Sequence, residues 1–211
     1  FARSWQVVGD ARQLKSPGQV LPLTLLAGCL DEPLLLTRDA EDRLHCLSNV
    51  CTHRGNLLVE GEGHVPAGGT MRCRYHGRRF GLDGRCQLMP EIEEVEGFPA
   101  ASDNLPEVAL EGWGPLLFAS LGPAVPFEVL IGPLRERLEW ERENLIPTRE
   151  LARLSGAHPS TVHRLAAAGK IETAQQPLLP KRGTHLRSSV ERIRQLIERG
   201  EVTPTPLHEA A

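Results

Sequence analysis

The sequence contains no run of 18 or more apolar residues, so it predicts no transmembrane helix. The residue order of a secretory signal peptide is missing as well. The chain begins at Phe1 without a methionine, which indicates a fragment or a processed product. Cysteine is scarce, with five among 211 residues. We expect three of them to be small buried side chains of a protein in the reducing cytoplasm: Cys29, Cys46 and Cys86.

The other two cysteines each stand in a short motif with a histidine. Residues 51–53 are Cys-Thr-His, and residues 73–76 are Cys-Arg-Tyr-His. Two thiolates on one iron and two neutral imidazoles on the other are the ligands of a Rieske-type [2Fe–2S] cluster, so the candidate ligands are Cys51, His53, Cys73 and His76. Imidazole in place of thiolate removes negative charge and raises the potential from about −400 mV to roughly −150 to +300 mV.

A structural zinc site is the alternative for these four residues, because two Cys and two His also suit tetrahedral zinc. Zinc fingers usually pair like ligands in each half, whereas each half here mixes one thiolate with one imidazole. A glycine follows each histidine, at Gly55 and Gly77, and lets the backbone bend closely around a cluster. The pattern favours the cluster over zinc.

Short apolar runs, separated by turns rich in Gly, Pro and Asp, fill the first 140 residues and predict short strands. Asp83-Gly84 is a two-residue hairpin signal between two of them. The pattern predicts a mainly β domain, an antiparallel sandwich or small barrel from which the two ligand loops protrude. The predicted strands are Trp5–Val8, Val20–Leu26, Pro33–Thr37, Leu44–Val50, Thr70–Cys73, Arg79–Leu82, Val108–Leu110 and Leu116–Leu121.

Several stretches of residues 1–140 match one known family. The match is specific at the cluster loops, and it comprises Phe1–Gly9, Leu47–Gly55, Tyr75–Gly77, Phe80–Gly84, Met89–Glu91 and Trp113–Phe118. These stretches resemble the Rieske domain of aromatic ring-hydroxylating oxygenase large subunits. The resemblance implies that the four candidate residues bind the cluster. It also implies a reductase or ferredoxin that donates single electrons, a mononuclear non-heme iron that receives them, and an assembly that can be a homo-oligomer.

The chain departs from the family pattern in two places. Arg78 stands where the commonest form of the motif has tryptophan. The 19 residues between the two ligand pairs are slightly more than usual. We expect the extra length, in Gly61–Gly69, to form a surface hairpin or loop. The additional cysteines of respiratory-chain Rieske proteins are absent from both loops, which favours the oxygenase or ferredoxin type and a potential toward the low end. Arginines crowd the loops, either to offset the acidic domain and the anionic cluster or to dock an acidic electron donor: Arg54, Arg72, Arg74, Arg78 and Arg79.

The character of the sequence changes near Trp140. Residues 1–140 contain 13 Lys and Arg against 19 Asp and Glu, a balance of −6, and residues 141–211 contain 11 against 8, a balance of +3. We place a domain boundary there, with residues 141–145 as linker and 201–211 as a flexible tail. The 71 residues after Trp140 are too few for the catalytic domain of an oxygenase. His158 and His163 have the H-x₄-H spacing of its iron site, but we expect a local helix there instead.

Helical periodicity replaces the strand pattern in residues 146–200. We expect helices at Thr148–Leu154, ended by Gly156, at Pro159–Ala168, and after a capping box at Ser188–Glu191. This part resembles the helix-turn-helix domains of the MerR and excisionase type. The resemblance implies DNA contacts by Ser160, Thr161, His163 and Arg164, and phosphate contacts by Lys181, Arg182 and Arg187. A small helical bundle for packing or partner contact is the alternative.

Two functions are therefore open. The first is one-electron transfer by the cluster-binding part of an oxygenase system, with no oxygenation of substrate by this chain alone. The second is a redox-responsive regulator in which the cluster senses and residues 146–200 read DNA. A gene fusion or truncated reading frame with an adventitious tail is a third interpretation.

Overall fold

The computed structural model describes residues 1–66, 68–90, 92, 94–172 and 184–204. The chain forms two compact units, Phe1–Phe127 and Glu128–Ala211. Within the described residues, no helix is long and apolar enough to cross a membrane.

Unit 1 is built from ten short strands, and all of their pairings are antiparallel. A four-stranded sheet has the order β4-β3-β2-β5, and two three-stranded sheets have the orders β1-β10-β9 and β6-β7-β8. The strands are β1 Gln6–Asp10, β2 Gln19–Leu25, β3 Glu32–Arg38, β4 Leu44–Ser48, β5 Gly63–His64, β6 Met71–Arg72, β7 Arg79–Phe80, β8 Cys86–Leu88, β9 Ala109–Trp113 and β10 Leu116–Ser120.

Strand β3 is buried on both of its faces. Leu34, Leu35 and Leu36 are each at most 1% exposed. Side chains alternate along a strand, so Leu34 and Leu36 join one apolar cluster and Leu35 joins another. The first cluster also contains Cys46, Val108, Leu117 and Ala119. The second also contains Leu47, Phe80 and Leu105. The four-stranded sheet therefore lies between the β1-β10-β9 sheet and the part of unit 1 that carries the two cysteine–histidine loops.

The strand predictions agree with the structure in approximate position and in pairing sense, with one difference. The segment predicted as a surface hairpin or loop contains β5, which extends the sheet by pairing Gln19 with His64 and Val20 with Gly63. The Asp83-Gly84 turn joins β7 to β8 as predicted, with Gly84 at a φ of 82°. Of the three cysteines expected to be buried, Cys46 and Cys86 are buried but Cys29 is exposed, because it lies in a surface turn after β2.

Unit 2 contains four helices and a two-stranded ladder among its described residues. They are α1 Phe127–Asn144, β11 Leu145–Pro147, α2 Thr148–Ser155, α3 Pro159–Ala167, β12 Thr184–Leu186 and α4 Ser189–Glu198. The apolar faces of α2, α3 and α4 share one core that includes Leu151, Val162, Leu165, Ile193 and Leu196. Helix α2 ends at Gly156, which has a φ of 75°, as its sequence predicts.

Three predictions about unit 2 and its boundary differ from the structure. Residues 141–144, predicted to be a linker, form the end of α1, since their Glu and Arg residues favour a helix and Arg137 pairs with Glu141 one turn apart. The division between the units also falls after Phe127 rather than near Trp140. The capping box at Ser188 does not form, because Ser188 itself has helical dihedral angles and its side chain makes no cap hydrogen bond.

Candidate metal centre

The two cysteine–histidine loops of unit 1 have the same backbone geometry. The first loop lies between paired Val50 and Leu57, and the second between paired Arg72 and Arg79. In the first, the Cys51 amide donates to the carbonyl of Asn56 at 2.8 Å and the Cys51 carbonyl accepts from Gly55 at 3.0 Å.

The corresponding bonds in the second loop have the same lengths. The Cys73 amide donates to the carbonyl of Arg78 at 2.8 Å, and the Cys73 carbonyl accepts from Gly77 at 3.0 Å. Gly55 and Gly77 have φ values of 70° and 76°, a region that glycine adopts without strain. A Cβ on Gly77 would also lie 3.2 Å from Cγ of Pro90, a tight contact that the proline ring would have to relieve by shifting.

The four predicted ligands lie close together at the ends of these loops. Cys51 and Cys73 are each 2% exposed and belong to the apolar cluster that contains Phe80. His53 is half-buried and His76 is exposed, and their ring centroids are 4.8 Å apart. The thiol pair therefore faces the interior of unit 1, while the imidazole pair lies toward solvent.

The electrostatics of the site favour neutral groups before any metal binds. Burial, the largest effect, raises the pKa of the Cys51 thiol. Loss of hydration lowers the pKa of His53, and the neighbouring His76, Arg78 and Arg54 lower it further. Neutral imidazole is the form that binds metal, whereas a cysteine must lose its proton, so metal binding here would release protons from the thiols.

The donor set fits a cluster with two irons. Two thiols and two imidazoles supply one like pair for each iron, which is the arrangement of a Rieske-type centre. Zinc fingers usually pair like ligands in each half of the site, whereas each loop here carries one thiol and one imidazole.

Further contacts around the proposed ligands join the two loops to each other. The sequence did not predict all of the residues that make these contacts. Arg78 is 5% exposed, and its Nη1 donates to Oγ1 of Thr52 at 2.9 Å. Nη2 of Arg78 lies 3.2 Å from Oδ1 of Asp103, and Thr52 donates to the carbonyl of Asp103 at 2.6 Å. Asp103 lies 51 residues beyond Thr52 and carries no motif, so only the tertiary structure reveals its part.

The first loop has a further support that the sequence did not indicate. Asn49 is 1% exposed, and its side chain accepts from the amide of Val59 at 2.9 Å and donates to the carbonyl of the same residue at 2.7 Å. These bonds close the chain around the first loop and satisfy a buried amide. In the sequence, the signal for this support is an asparagine two residues before the first cysteine.

The residues predicted to contact DNA lie on α3 in unit 2. Ser160, His163 and Arg164 are exposed and Thr161 is half-buried, on the side of α3 away from buried Val162. His158 does not join His163 in a metal site within the described residues, because its Nδ1 accepts from the Ser160 amide and caps the helix.

Of the three residues predicted to contact phosphate, one lies among the described residues. Arg187 donates from its Nε to the carbonyl of Glu143 at 3.0 Å, so it is engaged at the end of α1. Lys181 and Arg182 lie outside the described residues.

Comparison with known proteins places the first part of the chain in a defined class. Residues 4–99 match the family model of the Rieske [2Fe–2S] domain. These residues form such a domain, of the kind found in Rieske oxygenases, and the domain implies a [2Fe–2S] cluster. The match ends at residue 99, so a helix-turn-helix in unit 2 and its contact with DNA stay predictions.

Several of the individual relatives are monooxygenases. The chain is 30% identical over 132 residues to a chloroplastic choline monooxygenase of Beta vulgaris, covering 63% of this chain and 28% of that enzyme. It is 30% identical over 123 residues to the carnitine monooxygenase oxygenase subunit of Escherichia coli K12, covering 58% and 31%. A crystal structure of a quaternary ammonium Rieske monooxygenase superposes with a TM-score of 0.56 at 27% identity, covering 65% of this chain and 37% of that one. The chain thus spans about a third or less of the curated relatives.

Proposed function

We propose that this chain is the electron-transfer part of a Rieske oxygenase system, with Cys51, Cys73, His53 and His76 as the cluster ligands. When bound, the cluster supplies reversible one-electron chemistry. The observation that carries the proposal is the pairing of two buried thiols with two imidazoles 4.8 Å apart at the surface.

The residues around the site support this function. The loops are fixed by matching backbone hydrogen bonds, so the ligands need little rearrangement to bind, which favours fast electron exchange. The apolar cluster beneath Cys51 and Cys73 keeps water from the thiol side. Exposed His76 leaves the imidazole side open to a partner, for which we propose a reductase or a ferredoxin.

The proposal concerns the part of the relatives that this chain matches. The chain covers 28% of the choline monooxygenase and 31% of the carnitine monooxygenase subunit. We therefore propose electron transfer for this matched part. The regulator hypothesis has no specific observation in its favour, and we do not propose it.

Iron and acid-labile sulfide analysis of the anaerobically purified protein tests the proposal. We expect two irons and two sulfides per chain, and a Rieske-type EPR signal after reduction by one electron per chain. Zinc without acid-labile sulfide in the purified protein would contradict both the cluster and the function.

The exposed arginines on the two loops give a separate prediction about the electron donor. Arg54 and Arg79 are exposed, whereas Arg78, which the sequence grouped with them, is buried. Arg54→Glu and Arg79→Glu are expected to slow reduction by an acidic ferredoxin about three- to tenfold at low salt, because they weaken electrostatic steering. Stopped-flow reduction followed at increasing ionic strength checks this, and the difference from the unaltered protein should shrink as salt is added.

The matched control for this prediction is Arg12→Glu. Arg12 is 76% exposed and follows β1, in the sheet on the far side of β3 from the loops, so the same charge change should leave the rate unaltered. Equal slowing by all three substitutions would show that net charge alone matters and would refute docking at the loops.

A further inference from the structure

Arg78 connects three separate segments of unit 1 at the base of the loops. Its carbonyl accepts from the amide of Cys73, and its guanidinium donates to Thr52, which lies between Cys51 and His53. The same guanidinium pairs with Asp103 at 3.2 Å. One side chain thus links the second loop to the first loop and to the short 3₁₀ helix Ala101–Asp103.

The burial of this cation is costly for the fold. The side chain of Arg78 is 6% exposed, and within the described residues its buried Nε has no hydrogen-bond acceptor. The ring of Phe98 lies 5.5 Å from the guanidinium carbon and adds a weak cation–π contact. A buried ion pair is weak support for stability, and an apolar residue of similar volume is often as stable or more so. The fold alone therefore gives little reason for an arginine at this position.

The charge of Arg78 does have a consequence for electron transfer. One-electron reduction adds one negative charge to the cluster, so a fixed positive charge nearby favours the reduced form. Because the guanidinium is buried, solvent and salt screen it far less than they screen the exposed arginines of the loops.

We propose that Arg78, held by Asp103 and Thr52, is a positioning residue that ties the two ligand loops together and raises the potential of the cluster. The inference rests on the proposed electron-transfer function and adds to it the residue that sets the driving force. Asp103 has the opposite electrostatic effect, so its carboxylate lowers the potential while it holds the guanidinium in place.

Redox titration of the full chain, monitored by EPR, tests whether the charge of Arg78 raises the potential of the cluster. Arg78→Met is expected to lower the ratio of reduced to oxidised cluster at a given potential about tenfold, which is 59 mV for one electron. Asp103→Asn is expected to raise that ratio. Arg79→Met removes the charge of the adjacent but exposed arginine, and we expect a much smaller change from it.

The rate at which the protein loses iron and sulfide in the presence of a chelator tests whether Arg78 ties the two loops together. Thr52→Val removes the hydrogen bond from Arg78 without changing charge, so it should speed cluster loss severalfold and leave the potential unaltered. If Arg78→Met cannot hold a cluster, Arg78→Lys and Asp103→Asn still test the charge, since lysine should keep the potential near that of the unaltered protein.

The results separate this inference from the function on which it rests. Equal shifts from Arg78→Met and Arg79→Met, shifts of the same sign from Arg78→Met and Asp103→Asn, or an unaltered potential in Arg78→Met would overturn the role of Arg78. An unaltered protein with no Rieske-type EPR signal would instead overturn the electron-transfer proposal itself.

Discussion

Replacing Cys73 with serine is expected to remove the [2Fe–2S] cluster from the protein altogether. The Cys73 side chain is buried between the loops and is proposed to supply one of two thiolates to the same iron, and serine oxygen is a poor replacement for a soft thiolate donor. Iron and acid-labile sulfide should fall to background, and the EPR signal of the reduced protein should disappear.

The chain contains a matched control for this substitution. Cys86 is also buried, belongs to the same apolar cluster as Cys73, and is not a proposed ligand. Cys86→Ala should therefore keep two irons, two sulfides and the EPR signal. Full cluster content in Cys73→Ser, or cluster loss from Cys86→Ala in a protein that remains folded, would refute the assignment of the thiolates.

Phe80→Ala is expected to lower the free energy of unfolding by about 3–5 kcal/mol. Phe80 is fully buried in the apolar cluster that also contains Cys51 and Cys73, so its loss leaves a cavity directly beneath the site. Because total stabilities are about 5–15 kcal/mol, this variant should be close to unfolding and should hold the cluster poorly. Urea unfolding followed by circular dichroism measures the change.

Phe1→Ala removes the same atoms from an exposed position. Phe1 is 84% exposed, so the substitution should change the free energy of unfolding by no more than about 0.5 kcal/mol. Similar losses from the two substitutions would mean that the apolar cluster under the loops contributes little, contrary to the packing described above.

Much of the site was predictable because its signals are local. A cysteine and a histidine within four residues, followed by a glycine, specify both the donors and a tight turn, and neither depends on the rest of the fold. The strands were predictable for a similar reason, since short apolar runs between turn residues have few other structures open to them. The exact strand ends and the short pairing strand β5 depend on partners distant in sequence, and they were missed.

Arg78 shows where local reasoning fails. The sequence groups it with the other arginines that crowd the loops, yet the fold buries it and pairs it with Asp103. Arg78 immediately precedes β7, and Arg79, the first residue of that strand, is exposed beside it. No motif near Asp103 predicts its pairing with Arg78. The two residues meet only when the protein folds, because Asp103 is distant from both loops in the sequence.

The sequence by itself determined the donor types of the proposed site, the turns that present them, and the class of cofactor that the domain implies. The tertiary structure decided which charges are buried and which are exposed, how the two loops are joined, and which buried residues lie beneath the ligands. The physical reason is the range of the interactions. Donor identity and turn geometry are properties of a few consecutive residues, whereas burial and charge pairing arise between segments that only packing brings together.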